Sequence, residues 1–246
     1  MRVLKWLAAL VGVIVLAAAG AYFYAQSSLG ELDDEARGKA PGEFIELGDG
    51  KVHYQWHGPE DGDVTVLVHG FSTPSFVWRG LLEPLTSAGL RVLTYDNYGR
   101  GWSDRPDVAN NADLFDRQLV ELLESQGVTE PFNLVGYSMG GAVSVNFLAR
   151  HPDRAKRLAL IAPAGFPDPE GVMAKMMSLI NLPVIGDWAM AVVGKGMMID
   201  GMSRAENQST AIPDIVDRYI EQMSYKGYLR SLVSTIRHFP MTELQA

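Results

Sequence analysis

Short apolar strands alternate with helices along the middle of the chain, and this alternation restricts the fold more than any other feature of the sequence. Each strand is a run of mainly aliphatic and aromatic residues, which is typical of a strand covered on both faces. The strands are predicted at residues 64–68, 91–95, 132–135 and 158–162, and the helices at residues 75–88, 113–126 and 140–150. This order predicts an α/β fold with a mostly parallel sheet and helices on both of its faces.

Two further strands precede this region and are predicted to pair with each other. Residues 43–47 and 52–56 alternate in polarity, and Gly48-Asp49-Gly50 between them is typical of a hairpin turn. The core domain is therefore predicted at residues 42–165. From residue 166 to residue 246 the strand pattern is absent, and prolines separate amphipathic segments that predict a helical cap.

The N-terminus is a separate apolar segment. Nineteen residues from Trp6 to Tyr24 are almost all apolar, which at about 1.5 Å per helical residue nearly spans a bilayer core of about 30 Å. Arg2 and Lys5 precede this segment, and aromatic residues end it, as in a span whose cations stay in the cytoplasm.

Residues 1–25 are therefore predicted to be a transmembrane anchor, and the polar residues 26–41 a solvated linker or a short helix. The remainder of the chain would lie outside the cytoplasm, in the periplasm or the extracellular space. The alternative is a cleaved signal peptide with Ala19-Gly20-Ala21 as its cleavage site, which would release a secreted domain.

Composition excludes several classes of function. The formal net charge of −8 argues against binding nucleic acid, which requires a basic face. The absence of cysteine excludes disulfides, zinc–thiolate sites and a cysteine nucleophile. No metal or cofactor is predicted, and the sequence leaves the oligomeric state open.

The most reactive position that the sequence indicates is Ser138. Gly136-Tyr137-Ser138-Met139-Gly140 follows a predicted strand and begins a predicted helix, which is the setting of a nucleophile elbow. A serine on such a tight turn projects its hydroxyl above the sheet, and the helix dipole favours negative charge beside it. The alternative is a structural turn without chemistry.

A second loop is predicted to lie beside this turn. His69-Gly70-Phe71 ends the strand at residues 64–68, so the backbone N–H groups of Phe71 and Met139 are predicted to form an oxyanion hole. His69 is interpreted as a structural residue that holds the loop, in preference to a general base.

Together these motifs resemble the α/β-hydrolase superfamily, in the branch with His-Gly-Phe, Asp-x-x-Gly-x-Gly-x-Ser and Gly-x-Ser-Met-Gly-Gly. The chain is similar to membrane-anchored esterase-like and monoacylglycerol-lipase-like members from about residue 42 to residue 162. In this family the order along the chain is serine, acid, histidine, so Asp96 is interpreted as a residue that fixes its loop rather than as the triad acid.

The chain departs from the family pattern after the cap. Two more core strands, which carry the acid and the histidine, are expected but absent from the sequence, so the chain is interpreted as C-terminally truncated. None of the histidines, at positions 53, 57, 69, 151 and 238, is a good candidate for the base. Asp168 is a minor candidate for the acid. Without the later strands, residues 158–162 would form an exposed apolar edge of the sheet.

The resemblance implies hydrolysis of a small-molecule carboxylic ester through an acyl-Ser138 intermediate. The membrane segment and the eight methionines between Met173 and Met223 make a lipid-like substrate attractive, although methionines also commonly fill irregular cores. Carbon–carbon bond and amide hydrolysis use the same serine and stay open. The non-enzymatic alternative is a membrane-tethered pseudo-hydrolase that binds through its cap.

Overall fold

The computed structural model describes residues 1–165, 178, 180–204 and 212–239. Within them, six strands form one sheet in the order β1-β2-β4-β3-β5-β6. The strands are β1 (Glu43–Leu47), β2 (Gly50–His57), β3 (Asp63–Val68), β4 (Leu90–Tyr95), β5 (Phe132–Tyr137) and β6 (Ala155–Ile161). β1 and β2 form the predicted antiparallel hairpin, whereas β4, β3, β5 and β6 run parallel to one another. The predicted α/β architecture is therefore confirmed.

Helices pack on both sides of the parallel strands, and others form the described part of the C-terminal region. The α-helices of the described residues are α1 (Arg2–Ser27), α2 (Asp34–Arg37), α3 (Arg79–Ser87), α4 (Ala112–Ser125), α5 (Met139–Arg150), α6 (Ile185–Ala189), α7 (Lys195–Ser203), α8 (Ile215–Gln222) and α9 (Tyr228–His238). A π-helical segment, Met190–Gly194, joins α6 to α7. The helix predicted at residues 75–88 instead begins as a 3₁₀ turn, Ser75–Trp78, and becomes α-helical at Arg79.

α4 illustrates how the local sequence sets an element. The Asn111 side chain accepts a hydrogen bond from the Leu114 amide and so caps the first turn. Leu119 and Leu122, at helical spacing, are fully buried against the sheet. Gly127 then takes a φ of +66°, which ends the helix because few other residues tolerate that conformation.

The main core lies between the sheet and the helices α4 and α5. It combines Val66, Leu93 and Leu134 from the strands with apolar residues of both helices, and Phe239 joins it from the residue after α9. Each large aliphatic side chain that is fully buried there contributes roughly 1.5–3 kcal/mol. Phe239 stacks edge-on against Phe115 at 5.6 Å, so the end of α9 packs into the same core as the strands.

β6 is the edge strand of the sheet, and it is exposed. Leu158, Leu160 and Ile161 have exposed fractions of 39%, 37% and 40%. The exposed apolar edge predicted for this strand is therefore present among the described residues. The strand begins at Ala155, three residues earlier than predicted, and Ala162 leaves it with a φ of +42°.

α1 is long and apolar enough to cross a membrane, with a mean hydropathy of 2.2 over its most apolar window. Residues 1–17 are exposed throughout, whereas a stripe that begins at Ala18 is half-buried against the segment Met190–Gly194. The Trp188 indole donates a hydrogen bond to the Ala18 carbonyl oxygen at 2.8 Å. α1 is therefore attached to the helical region by its last turns alone.

The chain between α1 and β1 was predicted to be a solvated linker or a short helix, and most of its residues are exposed on either side of the short helix α2. Gly30 pairs through its backbone with Ser224 and Lys226, in the turn between α8 and α9. α2 buries Arg37, whose Nε donates to the Trp102 carbonyl oxygen at 3.1 Å and whose guanidinium pairs with Asp104. These bonds hold the connecting segment against the folded domain.

Candidate active site

Ser138 lies on the turn between β5 and α5, as the G-x-S-x-G pattern predicted. Its φ of 52° and ψ of −121° are strained for a residue with a side chain. Such strain persists only where the surrounding structure enforces it, and it often marks a functional position. The residue is half-buried, whereas Met139 and Gly140 after it are buried.

The glycines of the motif allow the backbones around this turn to approach closely. A Cβ atom on Gly140 would lie 2.0 Å from the Val68 carbonyl oxygen, and one on Gly136 would lie 2.5 Å from the Gly140 carbonyl oxygen. Both distances are far below van der Waals contact. The motif therefore requires glycine at both positions for α5 to begin against the ends of β3 and β5.

The backbone of Ser138 is fixed, whereas its hydroxyl has no partner in the described part of the chain. Its N–H donates to the Ile161 carbonyl oxygen at 3.0 Å, and its carbonyl oxygen accepts from the amides of Gly141 and Ala164 at 2.9 and 2.8 Å. The hydroxyl makes no hydrogen bond with any residue that the structure describes. A fixed backbone with a free hydroxyl is suited to nucleophilic attack once a base is present.

The loop after β3 lies directly beside the serine. A Cβ atom on Gly70 would be 3.3 Å from the Ser138 Cβ, so the backbone of the loop contacts the elbow. Met139 is the first residue of α5, where helix geometry leaves the N–H without an intrahelical acceptor. The amides of Phe71 and Met139 donate no hydrogen bond to another described residue. The predicted oxyanion donors are thus brought to the same turn as Ser138.

The side chain of Arg100 supports the loop after β3, and the sequence analysis did not predict this role. The side chain is fully buried, and its Nε donates to the Phe71 carbonyl oxygen at 2.9 Å. Its other nitrogens donate to the Tyr98 carbonyl oxygen at 3.1 Å and to Thr235 Oγ1 at 2.7 Å. Burial lowers the pKa of Arg100 to about 10, which leaves the group charged at neutral pH. Its position between Gly99 and Gly101, in the tight loop after β4, was the available signal.

Two residues of the helical region complete the support of the loop. The Ser72 carbonyl oxygen accepts from Gln222 Nε2 at 2.9 Å and from the Tyr228 hydroxyl at 2.8 Å. Gln222 also accepts from the Gly101 amide, at 3.2 Å. Sequence reasoning predicted helices here but no role for these side chains.

His69 is bonded in a way that confirms its structural role. Its Nδ1–H donates to the Gly70 carbonyl oxygen and its Nε2 accepts from the Asn97 amide, both at 2.8 Å. One neutral tautomer satisfies both bonds. Complete burial lowers the pKa of His69 to about 4, because the charged ring would lose its hydration.

Asp96 fixes its loop, as predicted, and it does so with a partner that the sequence did not reveal. Its carboxylate accepts from the Ser75 amide at 2.8 Å, from the Trp102 amide at 3.0 Å and from His53 Nδ1 at 2.8 Å. Burial opposes ionisation of this carboxyl, but the charge and the hydrogen bond of His53 hold its pKa below the ordinary value. Burial likewise acts to lower the pKa of His53, yet the ion pair with Asp96 raises it.

None of the five histidines is hydrogen-bonded to Ser138. Each has a partner elsewhere: His53 bonds Asp96, His57 bonds Thr94, His69 bonds Gly70 and Asn97, His151 bonds Asp116, and His238 bonds Ser234. Asp168, the minor candidate for the acid, lies outside the described residues. The described residues also contain no group of three histidine or carboxylate side chains that could hold a metal ion.

A cavity of about 650 Å³ lies apart from the serine, between α1 and the helical region. Tyr22 and Gln26 of α1 form one wall, and Met190, Arg105 and Arg230 lie on the other sides. Ser138 does not line it. The cavity therefore marks the junction of α1 with the domain rather than the reactive serine.

Residues 64–196 match the family model for the alpha/beta hydrolase fold, and the chain belongs to this family. Among curated proteins it is 32% identical over 146 residues to a cis-3-alkyl-4-alkyloxetan-2-one decarboxylase of Xanthomonas campestris. That match covers 56% of this chain and 48% of the relative, so the chain spans about half the length of that protein.

Solved structures agree on the fold. Cfl2 from Burkholderia cenocepacia matches with a TM-score of 0.69 at 25% identity, over 79% of this chain and 69% of that chain. The enol-lactonase from Burkholderia xenovorans matches with a TM-score of 0.64 at 20% identity, over 82% of this chain and 75% of that chain. The second match supports the fold alone.

Proposed function

We propose that this protein is a serine hydrolase that cleaves carboxylic esters through an acyl-Ser138 intermediate. The observation that carries the proposal is the geometry of Ser138. The residue is held in a strained conformation at the start of α5 beside the Gly70 backbone, and its hydroxyl bonds no described residue. Membership of the alpha/beta hydrolase family supports a hydrolase, and the ester specificity is our inference.

The chemistry follows the usual two steps of acyl transfer. The Ser138 hydroxyl oxygen attacks the ester carbonyl carbon while a base takes its proton. The N–H groups of Phe71 and Met139 stabilise the negative oxygen of the tetrahedral intermediate, and α5 adds the positive end of its dipole. The alcohol leaves with a proton from the base, and water then releases the acid by the same route in reverse.

The base of this reaction is not one of the five histidines in the arrangement that the structure describes. A serine hydroxyl without a base is a poor nucleophile at neutral pH. The base and its acid are therefore not among the partners of Ser138 that the described residues show. The chain spans about half the length of the curated relative that it matches, so the activity is proposed for the whole protein.

The substrate class that we favour is a lipid-like ester. The side chains of Met190, Met198 and Met202 pack on the cluster of Tyr219 and Met223, and Phe71 contacts the same cluster. Methionine is flexible and polarizable, so the methionines that share this cluster with Phe71 would adapt to acyl chains of different length. The apolar helix α1 supports a location on a membrane, with the domain on the outer side, close to such substrates.

The test is covalent labelling of the protein produced from its complete gene. A fluorophosphonate probe should modify Ser138, and mass spectrometry locates the modified residue. The Ser138→Ala variant should lose both the label and ester turnover. A matched control is Ser125→Ala, which removes a hydroxyl on α4 that donates to the Leu122 carbonyl oxygen and accepts from the side chain of the neighbouring Gln126. Labelling and turnover that persist in Ser138→Ala would contradict the proposal.

A series of p-nitrophenyl esters of increasing chain length tests the substrate class. We expect kcat/KM to rise from acetyl to medium-chain acyl esters. A preference for acetyl esters would count against a lipid substrate. Amide and carbon–carbon substrates in the same assay distinguish the other reactions that this serine could perform.

A binding protein without catalysis is the second candidate, because no histidine contacts Ser138 in the described structure. It predicts that the complete gene product is not labelled by the fluorophosphonate. It also predicts that Ser138→Ala leaves the biological role intact.

A further inference from the structure

The packing of α1 defines how deep the domain sits if α1 spans a bilayer, as we have proposed. Residues 1–17 project free of the domain, and they cover about 25 Å at about 1.5 Å per residue. A bilayer core is about 30 Å thick. The free part of α1 is therefore too short to cross the core alone, and the shortfall grows because Arg2 and Lys5 belong at the headgroups.

The remaining depth must come from the part of α1 that already packs against the domain. The aromatic residues that begin at Tyr22 mark the outer interface of the bilayer. Ala18 lies four residues before Tyr22, so it is about 6 Å inside the hydrocarbon core. The Trp188 indole donates to the carbonyl oxygen of Ala18. The part of the domain that carries Trp188 must therefore reach the same depth.

That part of the domain exposes large apolar side chains. Leu182, Val184 and Ile185 precede Trp188 and are exposed to 47%, 78% and 54%. Val193 and Met197, on the continuous helix formed by α6, the π-helical segment and α7, are exposed to 45% and 64%. The positions 185, 193 and 197 are spaced so that they share one face of that helix. We call these five residues the α6–α7 apolar face.

The charges near this face are compatible with a membrane surface. Asp187 is paired with Arg237 at 2.9 Å, so neither charge is left alone. Lys195 is half-buried, and a lysine can place its ammonium at the headgroups while its stem stays in apolar surroundings. Asp200, which is exposed, lies at the far end of the helix.

We propose that the α6–α7 apolar face inserts into the outer leaflet of the bilayer beside α1. The inference rests on the proposed membrane location of α1 and adds a second point of insertion. An interfacial helix buries its apolar face about 5–10 Å into the boundary between headgroups and acyl chains, which agrees with the depth set by Ala18. The helical region then rests in the leaflet that would supply a lipid substrate.

Depth-dependent fluorescence quenching tests this, and the chain suits it because it contains no cysteine. The full chain is placed in phosphatidylcholine vesicles that carry a nitroxide on the acyl chain. A bimane label is attached at Val184→Cys or at Met197→Cys. Leu16→Cys in α1 is the positive control. Leu81→Cys on α3 and Leu158→Cys on β6 are the negative controls, because both positions are also exposed and apolar.

We expect the labels at positions 184 and 197 to lose fluorescence to an extent comparable with the label at position 16, while those at 81 and 158 lose none. Unquenched labels at positions 184 and 197 beside a quenched label at 16 would overturn the inference and leave the span intact. A blue-shifted but unquenched label would assign the face to a second copy of the chain, which also overturns it. Loss of quenching at position 16 would refute the span and the inference together. No outcome depends on the proposed hydrolysis.

Discussion

The loops that follow β4 and β5 come after two parallel strands of the same sheet, but their polar residues differ in burial and in hydrogen bonding. After β4, Asp96 is 1% exposed and accepts bonds from two backbone amides and from His53. After β5, Ser138 is half-buried, and its hydroxyl has no partner among the described residues. The backbone at Ser138 is strained, whereas Asp96 is not among the residues with a positive φ.

This contrast separates a structural polar group from the one that we propose to be reactive. A buried carboxylate whose acceptor sites are filled contributes to folding and resists chemistry, because any change in its bonds leaves partners unsatisfied. Ser138 has a fixed backbone, and its hydroxyl bonds none of the described residues, so a reaction at this hydroxyl would break no hydrogen bond that the structure shows. Both Asp96 and Ser138 belong to sequence motifs, and their bonding agrees with the separate roles predicted for them.

The largest effect should come from the serine itself. In the complete gene product, Ser138→Ala and Ser138→Gly should each lower kcat for ester hydrolysis by a factor of about 10³ or more. The two variants should differ in stability, because glycine relieves the strain at φ 52° and alanine does not. We expect Ser138→Gly to raise the free energy of unfolding by about 1 kcal/mol over Ser138→Ala, as measured by urea denaturation. Equal stabilities would argue against a strained elbow.

Asp96→Asn should instead act on folding. The side-chain amide of Asn would place an N–H group where the carboxylate of Asp96 accepts hydrogen bonds. The substitution would also remove the negative charge that pairs with His53. Breaking a buried pair of this kind costs about 3–5 kcal/mol, which urea denaturation would detect as a lower midpoint. Asp61→Asn, at an exposed turn position, is the control and should change the free energy of unfolding by less than about 0.5 kcal/mol. A near-neutral Asp96→Asn would show that the loop after β4 is not held by this carboxylate.

The free energy of unfolding should depend on pH through two buried histidines, His69 and His53, whose contributions have opposite signs. His69 has a folded pKa of about 4 against an ordinary 6.5, so the unfolded chain binds a proton that the folded chain does not. Stability should therefore fall by about 3 kcal/mol as the pH drops from about 6.5 to about 4. The pKa of His53 is raised, so its contribution is complete below pH 6.5 and is lost as the pH rises through its folded pKa. Thermal unfolding across pH 4–9 measures both slopes.

The control for this profile is His69→Gln, which removes one titrating ring. Its stability should no longer fall between pH 6.5 and pH 4, whereas the decline at higher pH should persist. A variant that retains the acid-side slope would exclude His69 as its source.

The smallest effect should come from the support of the loop after β3, which is predicted to form the oxyanion hole. Tyr228→Phe removes the hydroxyl that bonds the Ser72 carbonyl oxygen and leaves the buried ring in place. We expect the free energy of unfolding to fall by about 1–2 kcal/mol. A drop in kcat with little change in KM would place the effect on the transition state. Tyr225→Phe, at a half-exposed ring, should leave both quantities unchanged.

The elements and the elbow could be predicted because their signals are local. Strands β3 to β5 are apolar runs bounded by glycine and polar residues, and the elbow is a five-residue pattern at the junction of β5 and α5. The 3₁₀ turn at Ser75–Trp78 was missed because its cause is distant: the Ser75 amide bonds Asp96, twenty-one residues away. Local periodicity cannot report such a partner.

The support of the site could not be predicted for the same reason. Arg100 reaches Thr235, and both Gln222 and Tyr228 reach Ser72 across at least 135 residues of sequence. A single sequence contains no measure of those distances. The catalytic roles of Ser138, Phe71 and Met139 stay predictions until activity is measured, as do the domain boundaries.

The pairing of Gly30 with Ser224 and Lys226 joins the segment after α1 to the folded domain by backbone hydrogen bonds, so this segment is not a flexible linker. A flexible linker would let the domain swing through many heights and orientations above its anchor. A bonded connection reduces that freedom, so an anchored molecule would hold Ser138 at a nearly constant height above the bilayer. Encounters with substrate would then depend on diffusion within the plane of the leaflet rather than on tumbling of the enzyme.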